Sequence, residues 1–302
     1  MEMYDLVIIG SGPAGLSAAI YASRAGLNAV VLEKVGVNGG QVLTTYEVDN
    51  YPALPGISGF DLGMKMKEHA DKLGATFKDA SVTGIRPGEP NIIVCDGEEI
   101  AAKGVIIATG AHHANLGVPG ESDLQGMGIS YCATCDGAFF RKKDVAVVGG
   151  GDVALEDAIF LARICNKVYL IHRRDEFRAN KALQDAIKAY ENVEFVLDSV
   201  VEKINGRDMV ESITVNNKKT GETKDIPLSG VFVAVGIVPD SAAFASEVEV
   251  NEKGYILAGE DGRTNKVRIY AAGDVRAKNL RQIVTGVADG ANAVNSFQED
   301  IL

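Results

Sequence analysis

Asp5-Leu6-Val7-Ile8-Ile9 runs into Gly10-Ser11-Gly12-Pro13-Ala14-Gly15. An Ala-rich stretch then continues to Arg24, stops at Gly26 and gives way to Ala29-Val30-Val31-Leu32-Glu33. The order is a short apolar strand, a glycine-rich turn, a helix, a second buried strand and an acidic residue, the βαβ context that a dinucleotide fingerprint requires. The glycines permit the tight turn and let the helix N-terminus approach a pyrophosphate, whose charge is favoured by free N–H groups and the helix dipole. A glycine-rich turn alone is weak support, because loops of that composition are common; the complete unit is specific.

The pattern returns further on. Asp144 to Val148 reads as a strand, Gly149-Gly150-Gly151-Asp152-Val153-Ala154 as the turn, Leu155 to Cys165 as a helix and Lys167 to Ile171 as the next strand. Gly10 to Glu33 and Gly149 to His172 both span 23 positions, so His172 occupies the slot of Glu33. A carboxylate in that slot accepts hydrogen bonds from a ribose hydroxyl. In the second unit the slot opens His172-Arg173-Arg174, with Arg178 a turn beyond. Guanidinium groups bind a 2′-phosphate that a carboxylate would repel, so this site is expected to prefer NADPH to NADH. The ordinary reading of such a basic cluster is a solvated helix start; its place at a strand end outweighs that reading.

Between the fingerprints lies Cys132-Ala133-Thr134-Cys135, followed directly by Asp136. Two cysteines at this spacing can cycle between dithiol and disulfide. A zinc site would need a second pair of ligands at matching spacing, which the sequence lacks, and no metal is expected. His112-His113 is read as part of a linker, and Cys95 and Cys165, on apolar patterns, as buried small hydrophobes. With 302 residues, 46% of them hydrophobic, the chain is long enough for two domains. A net charge of −11 without a Lys/Arg-rich run speaks against nucleic acid or an anionic membrane as the main partner. Met1 to Asp5 carries no targeting signal and no apolar run approaches the ~20 residues of a bilayer span, so a soluble cytoplasmic protein is expected.

Gly59 to Leu73 reads as an amphipathic helix ended by Gly74, with β-prone pieces up to Val105–Ala108, while Phe232 to Gly236 and Ile269 to Asp274 read as strands running into turns. A final helix is expected from about Gly286. The fold class is therefore α/β: two Rossmann-like dinucleotide-binding domains with parallel sheets, the second inserted into the first. Residues 1–114 and 245–302 would form the discontinuous first domain, and residues 115–244 the second, which carries the Cys pair.

Taken together, Gly10 to Gly15, Gly39-Gly40-Gln41, Val48-Asp49-Asn50-Tyr51-Pro52, Ala108-Thr109-Gly110, Cys132 to Asp136, Gly149 to Gly151, His172 to Arg178, Ala272-Gly273-Asp274 and Leu280-Arg281-Gln282 give the chain a resemblance to the bacterial-type low-molecular-weight thioredoxin reductases. The resemblance covers essentially the full length. It implies FAD in the first domain, at Gly10, Gly12, Pro13, Ala14, Gly15, Glu33, Gly40, Gln41, Asn50, Val82, Thr109, Gly110, Gly273, Asp274, Arg281, Gln282 and Ile283. It implies NADPH in the second, at Gly149, Gly151, Asp152, Ala154, His172, Arg173, Arg174, Arg178 and Gly236. Cys132, Cys135 and Asp136 would be catalytic, Cys135 facing the flavin, Cys132 attacking the partner and Asp136 moving the proton, although Asp136 could also cap a helix. A thioredoxin or thioredoxin-like partner and a homodimer are implied as well. Two positions depart from the family pattern: Val153 stands where a Ser or Thr is usual, and Lys266-Val267-Arg268 lacks the usual Pro-Gly, which is expected to alter a turn.

The dithiol precedes the second nucleotide strand by about ten residues, so dithiol and nicotinamide share a domain and the flavin belongs to the other. A hinge is expected near Ala111 to Gly117 and Ile237 to Ala243. A flavin dithiol oxidase or a ferredoxin-dependent flavin reductase would have no use for His172-Arg173-Arg174 and Arg178. An alkyl-hydroperoxide-reductase flavoprotein would need an N-terminal extension before Met1. A non-catalytic redox sensor would differ in failing to turn over NADPH with a disulfide substrate.

Overall fold

The computed structural model describes residues 3–34, 36–45 and 47–301. Met1 and Glu2, part of the N-terminal reading, lie outside them. The chain forms two compact units, Met1–His112 with Val238–Leu302, and His113–Ile237.

In the first unit the strands Thr76–Asp79, Ala29–Glu33, Met3–Ile9 and Glu98–Ile107 lie side by side and parallel, and Ile269–Ala271 joins the last of them, also parallel. Asn91–Cys95 and Val82–Arg86 extend the sheet antiparallel. The continuous apolar runs follow from burial on both faces. Val7, Ile9, Val30, Leu32 and Ile107 pack on one side with Phe244, Ile256 and Val275. Leu6, Ile8, Val31 and Ile106 pack on the other with Ala14, Ala18, Val294 and Phe297. Each such side chain contributes roughly 1.5–3 kcal/mol on burial. The helices Pro13–Arg24 and Ile283–Ile301 both supply this second face, and they cross closely at Gly290, where a Cβ would stand 2.1 Å from the Ala14 carbonyl oxygen.

The second unit is built on five parallel strands in the order Val193–Val196, Lys167–Ile171, Asp144–Gly149, Gly230–Ala234, Ile129–Ser130. The helix Asp152–Ala162 covers one face through Leu155, Ala158 and Leu161. An antiparallel sheet of Ser199–Gly206, Val210–Asn217 and Thr223–Pro227 covers the other through Ile204, Ile213 and Ile226.

Several boundaries differ from the sequence reading. The helix after the second glycine turn starts at Asp152, not Leu155, with Gly151 as its N-cap, and ends at Ala162, leaving Cys165 buried beyond it. The final helix starts at Ile283, and Gly286 is an interior residue facing Ala14. Residues 238–244 sit with the first unit, because Phe244 is buried in its core beside Val248 and Ile256.

Candidate active site and nucleotide turns

The edge strand Ile129–Ser130 pairs with Val231 and Phe232 of the strand Gly230–Ala234, which itself pairs with the strand ending in Gly149. The parallel sheet thus delivers Cys132 and the second glycine turn at the same C-terminal edge, where open α/β sheets hold ligands. Cys132 and Cys135 are joined as a disulfide with their Cα atoms 5.3 Å apart. Cys132 is the N-cap of the single turn Ala133–Asp136, and its N–H donates to Ser130 Oγ at 3.1 Å.

Asp136 follows at once and is half-buried. Ser130 Oγ donates to its Oδ2 at 2.6 Å, while Oδ1 is buried with no hydrogen-bond partner. Burial pushes the Asp136 carboxyl above the usual range, and the Ser130 bond only partly opposes this. The side chain makes no capping bond to the following turn Gly137–Phe140, although Asp136 stands at its N-cap. Ser130, 4% exposed, was missed in the sequence. Its only signal there was a hydroxyl two residues before Cys132. Tyr131 was also missed. Its hydroxyl donates toward Glu121 Oε1 at 3.1 Å, and its ring stacks on His113 at 5.0 Å.

In the second glycine turn each residue meets a different surrounding. A Cβ on Gly149 would lie 2.5 Å from the Ala234 carbonyl oxygen, and one on Gly150 would lie 2.2 Å from the His172 ring, but one on Gly151 would meet nothing within 4 Å. This leaves an open face at the helix start. The following loop is tied back to the turn by Arg178 N to Gly150 O at 2.7 Å and Asn180 N to Asp152 Oδ1 at 2.7 Å. His172 is 5% exposed, stacks on Phe177 and presents a buried Nε2 with no partner. Burial, reinforced by the three arginines, pushes its imidazole down. Arg173, Arg174 and Arg178 are exposed and make no ion pair among the described residues, while Asp175 between them is taken by Lys219 at 2.8 Å. Ala154 is buried in the helix, and Val153 is 53% exposed at its start. Gly236, with φ +147, borders the crossing back to the first unit, and its carbonyl accepts from Ala114 N at 3.0 Å.

The first glycine turn is more tightly constrained. Gly10 has φ +100, and a Cβ on Gly15 would stand 1.9 Å from its carbonyl oxygen. Gly12 faces only Gly40 Cα, at 3.9 Å, and Pro13 and Ala14 open the helix. Glu33, at its strand end, accepts from Ser11 Oγ at 2.6 Å and from Ser11 N at 2.9 Å. Gln41 donates its side-chain amide to the Ala111 carbonyl. Asn50 Nδ2 donates to Gln282 Oε1 at 2.8 Å, bringing together two residues far apart in sequence, and Ile283 begins the final helix. Thr109 Oγ1 donates to Asp240 O at 2.6 Å, and Gly110 accepts from Asp240 N. Val82 begins the edge strand of the sheet. Gly273 and Asp274 leave Ile269–Ala271 in a short turn, and the Arg281 guanidinium lies 3.9 Å from the Tyr255 ring centroid. Arg276, Lys278 and Asp289 beneath this turn were missed as well. Among the described residues no cluster of His, Cys, Asp and Glu is arranged to hold a metal ion, and no helix is long and apolar enough to cross a membrane.

Two glycine turns at parallel-sheet edges, with a disulfide beside one of them, define a dinucleotide-binding disulfide oxidoreductase. Residues 4–290 match the family described as pyridine nucleotide-disulphide oxidoreductase. Over 300 residues the chain is 44% identical to a thioredoxin reductase of Listeria innocua, covering 99% of this chain and 94% of the relative. The crystal structure of thioredoxin reductase from Streptococcus pyogenes matches with a TM-score of 0.94 at 44% identity, covering 99% and 98% of the two chains. That of Lactococcus lactis thioredoxin reductase, in its FR conformation, matches with 0.67 at 42% identity, covering 99% of each. The chain belongs to the bacterial low-molecular-weight thioredoxin reductases of this family, and Cys132–Cys135 is its redox-active disulfide.

Proposed function

We propose that the chain reduces the disulfide of thioredoxin or a thioredoxin-like protein with electrons from NADPH, by way of FAD in the first unit and the Cys132/Cys135 dithiol, as a cytoplasmic homodimer. The residues of the first unit fit a flavin dinucleotide: Gly10 and Gly15 tolerate no Cβ, Gly12 leaves an open approach to the helix start, and Asp274 offers a carboxyl at a strand's C-terminal end. Bound flavin supplies two-electron transfer between nicotinamide and disulfide.

The protein's own steps are thiol chemistry. Cys132 thiolate attacks one sulfur of the partner's disulfide, forming a mixed disulfide and releasing the other sulfur as a thiolate. Cys135 then attacks Cys132 Sγ, which restores the enzyme disulfide and releases the second partner sulfur. Asp136, held by Ser130 and kept protonated to higher pH by burial, gives its proton to a leaving thiolate.

The observation that carries the choice of nucleotide is the set of three exposed guanidinium groups of Arg173, Arg174 and Arg178, free of ion pairs among the described residues and following His172, which holds the slot of Glu33. Replacing all three with Gln should cut kcat/KM for NADPH by roughly a hundredfold or more and change NADH little, each charge-assisted contact being worth ~1.5–3 kcal/mol. Equal losses with both nucleotides would overturn the assignment.

A further inference from the structure

Beneath the Gly273-Asp274 turn lies a charge cluster contained within the first unit. Asp289, on the second turn of Ile283–Ile301, is 5% exposed. Its Oδ2 accepts from Gly273 N at 2.9 Å, Lys278 Nζ at 2.9 Å and Arg276 Nε at 3.2 Å, and its Oδ1 accepts from Arg276 Nη2 at 2.8 Å. Arg276 Nη1 also donates to the Ala258 carbonyl at 3.2 Å. Lys278 Nζ reaches Thr285 Oγ1 at 3.2 Å and lies 3.7 Å from Asp274 Oδ1. Burial pushes the Asp289 carboxyl up, but the two cations overcome this and hold it below the usual range.

The cluster has a charge balance and a geometry. Two buried cations face one buried carboxylate in Asp289, and leaving a buried charge unpaired is strongly unfavourable. The nearest further carboxyl is Asp274, which burial pushes above the usual range while Lys278 and Arg281 oppose that push. The geometry converges on Ala14: a Cβ on Gly273, whose φ is +80, would lie 2.9 Å from Ala14 Cβ, and one on Gly290 would lie 2.1 Å from Ala14 O. Asp289 therefore ties the turn to a helix already in close contact with the start of Pro13–Arg24.

We propose that Asp289 and Lys278 are positioning residues for the flavin site. Asp289 fixes the Gly273-Asp274 turn against the first turn of the glycine-rich helix, and Lys278 supplies positive charge beside Asp274 that favours it as an acceptor for cofactor hydroxyls. The inference rests on the placement of FAD in the first unit.

Flavin loss from the holoenzyme, followed by flavin fluorescence after dilution, tests it together with thermal unfolding of the same variants. Lys278→Met keeps the bulk of the stem and removes the charge; it and Asp274→Asn should each speed flavin loss about tenfold or more. The double variant should lose flavin no faster than the worse single variant, because Lys278 acts through Asp274. Asp289→Asn should resemble Lys278→Met; if it does not fold, the Lys278/Asp274 cycle decides alone. Unchanged flavin retention in Lys278→Met, with rapid loss in Asp274→Asn, would overturn the inference, as would effects that multiply in the double variant. Unchanged retention in Asp274→Asn would overturn the flavin placement, and the inference with it.

Discussion

Asp136 is held in a state that favours its chemistry over the stability of the fold. Its buried Oδ1 has no hydrogen-bond partner, and burial raises its carboxyl above the usual range. At low pH both folded and unfolded chains carry the proton. As pH rises, the unfolded chain releases it first, and the folded chain must later ionise a buried carboxyl, so stability falls as pH passes through the raised value. Asp136→Asn should therefore melt higher than the parent at pH 8, with the gain shrinking as pH is lowered toward the ordinary carboxylate value of 3.8. The same change should cut turnover with a protein disulfide by about a hundredfold, the usual scale for a lost general acid. Melting temperature and kcat measured across that range check both halves; parallel losses of stability and activity at every pH would show a structural role only. Cys132, Cys135 and Asp136 were legible because their chemistry is local in sequence. Arg276, Lys278 and Asp289 were not, because their roles arise only when a turn and a helix meet. Arg268 shows the same limit. In Lys266-Val267-Arg268 the residue Arg268 adopts φ +57, at a cost of ~1–2 kcal/mol for a residue with a Cβ, and pairs with Glu89 at 3.3 Å.

At the scale of elements, the two glycine turns are alike in sequence and differ in what each glycine does. Gly149 and Gly150 are required by the protein itself, since a Cβ would strike the Ala234 carbonyl oxygen in one case and the His172 ring in the other. Gly151 is free of both constraints, with φ −97 and open space beyond it. Gly151→Ala should leave the melting temperature unchanged or slightly raised, by the ~0.4–1 kcal/mol that a less flexible unfolded chain contributes. It should also raise KM for NADPH about tenfold, because the methyl group would occupy the approach of a pyrophosphate to the helix N-terminus. A variant that binds NADPH normally would place the nucleotide elsewhere. The βαβ order and the strands were readable from apolar runs, because both sheets are covered on both faces. The starts of two helices were not, since glycines at 151 and 286 read as punctuation while one is a cap and the other an interior packing residue.

At the scale of the whole molecule, the dithiol and the guanidinium-bearing loop belong to one unit and the proposed flavin site to the other. On the proposed function, two partners on one unit take turns at a single flavin, and a rotation about the crossings near His112 and Ile237 is the expected device. Hydrogen bonds tie the chain into each unit on either side of the first crossing. Thr109 and Gly110 are bonded to Asp240 within the first unit. The N–H groups of Leu116 and Gly117 donate to the Glu121 carboxylate at 2.9 and 2.8 Å within the second. If Cys135 is replaced by Ser and Cys132 is trapped in a mixed disulfide with the partner protein, the partner cannot be seated while Cys132 is buried against the flavin, so the trapped complex should favour the arrangement that brings nicotinamide to the flavin. NADPH should then bleach the flavin of the trapped complex at a rate no slower than in the untrapped enzyme, as read by stopped-flow absorbance. Bleaching slowed about tenfold or more by trapping would mean that partner binding and hydride delivery do not share an arrangement, and rotation of the two units could not be the device that alternates them.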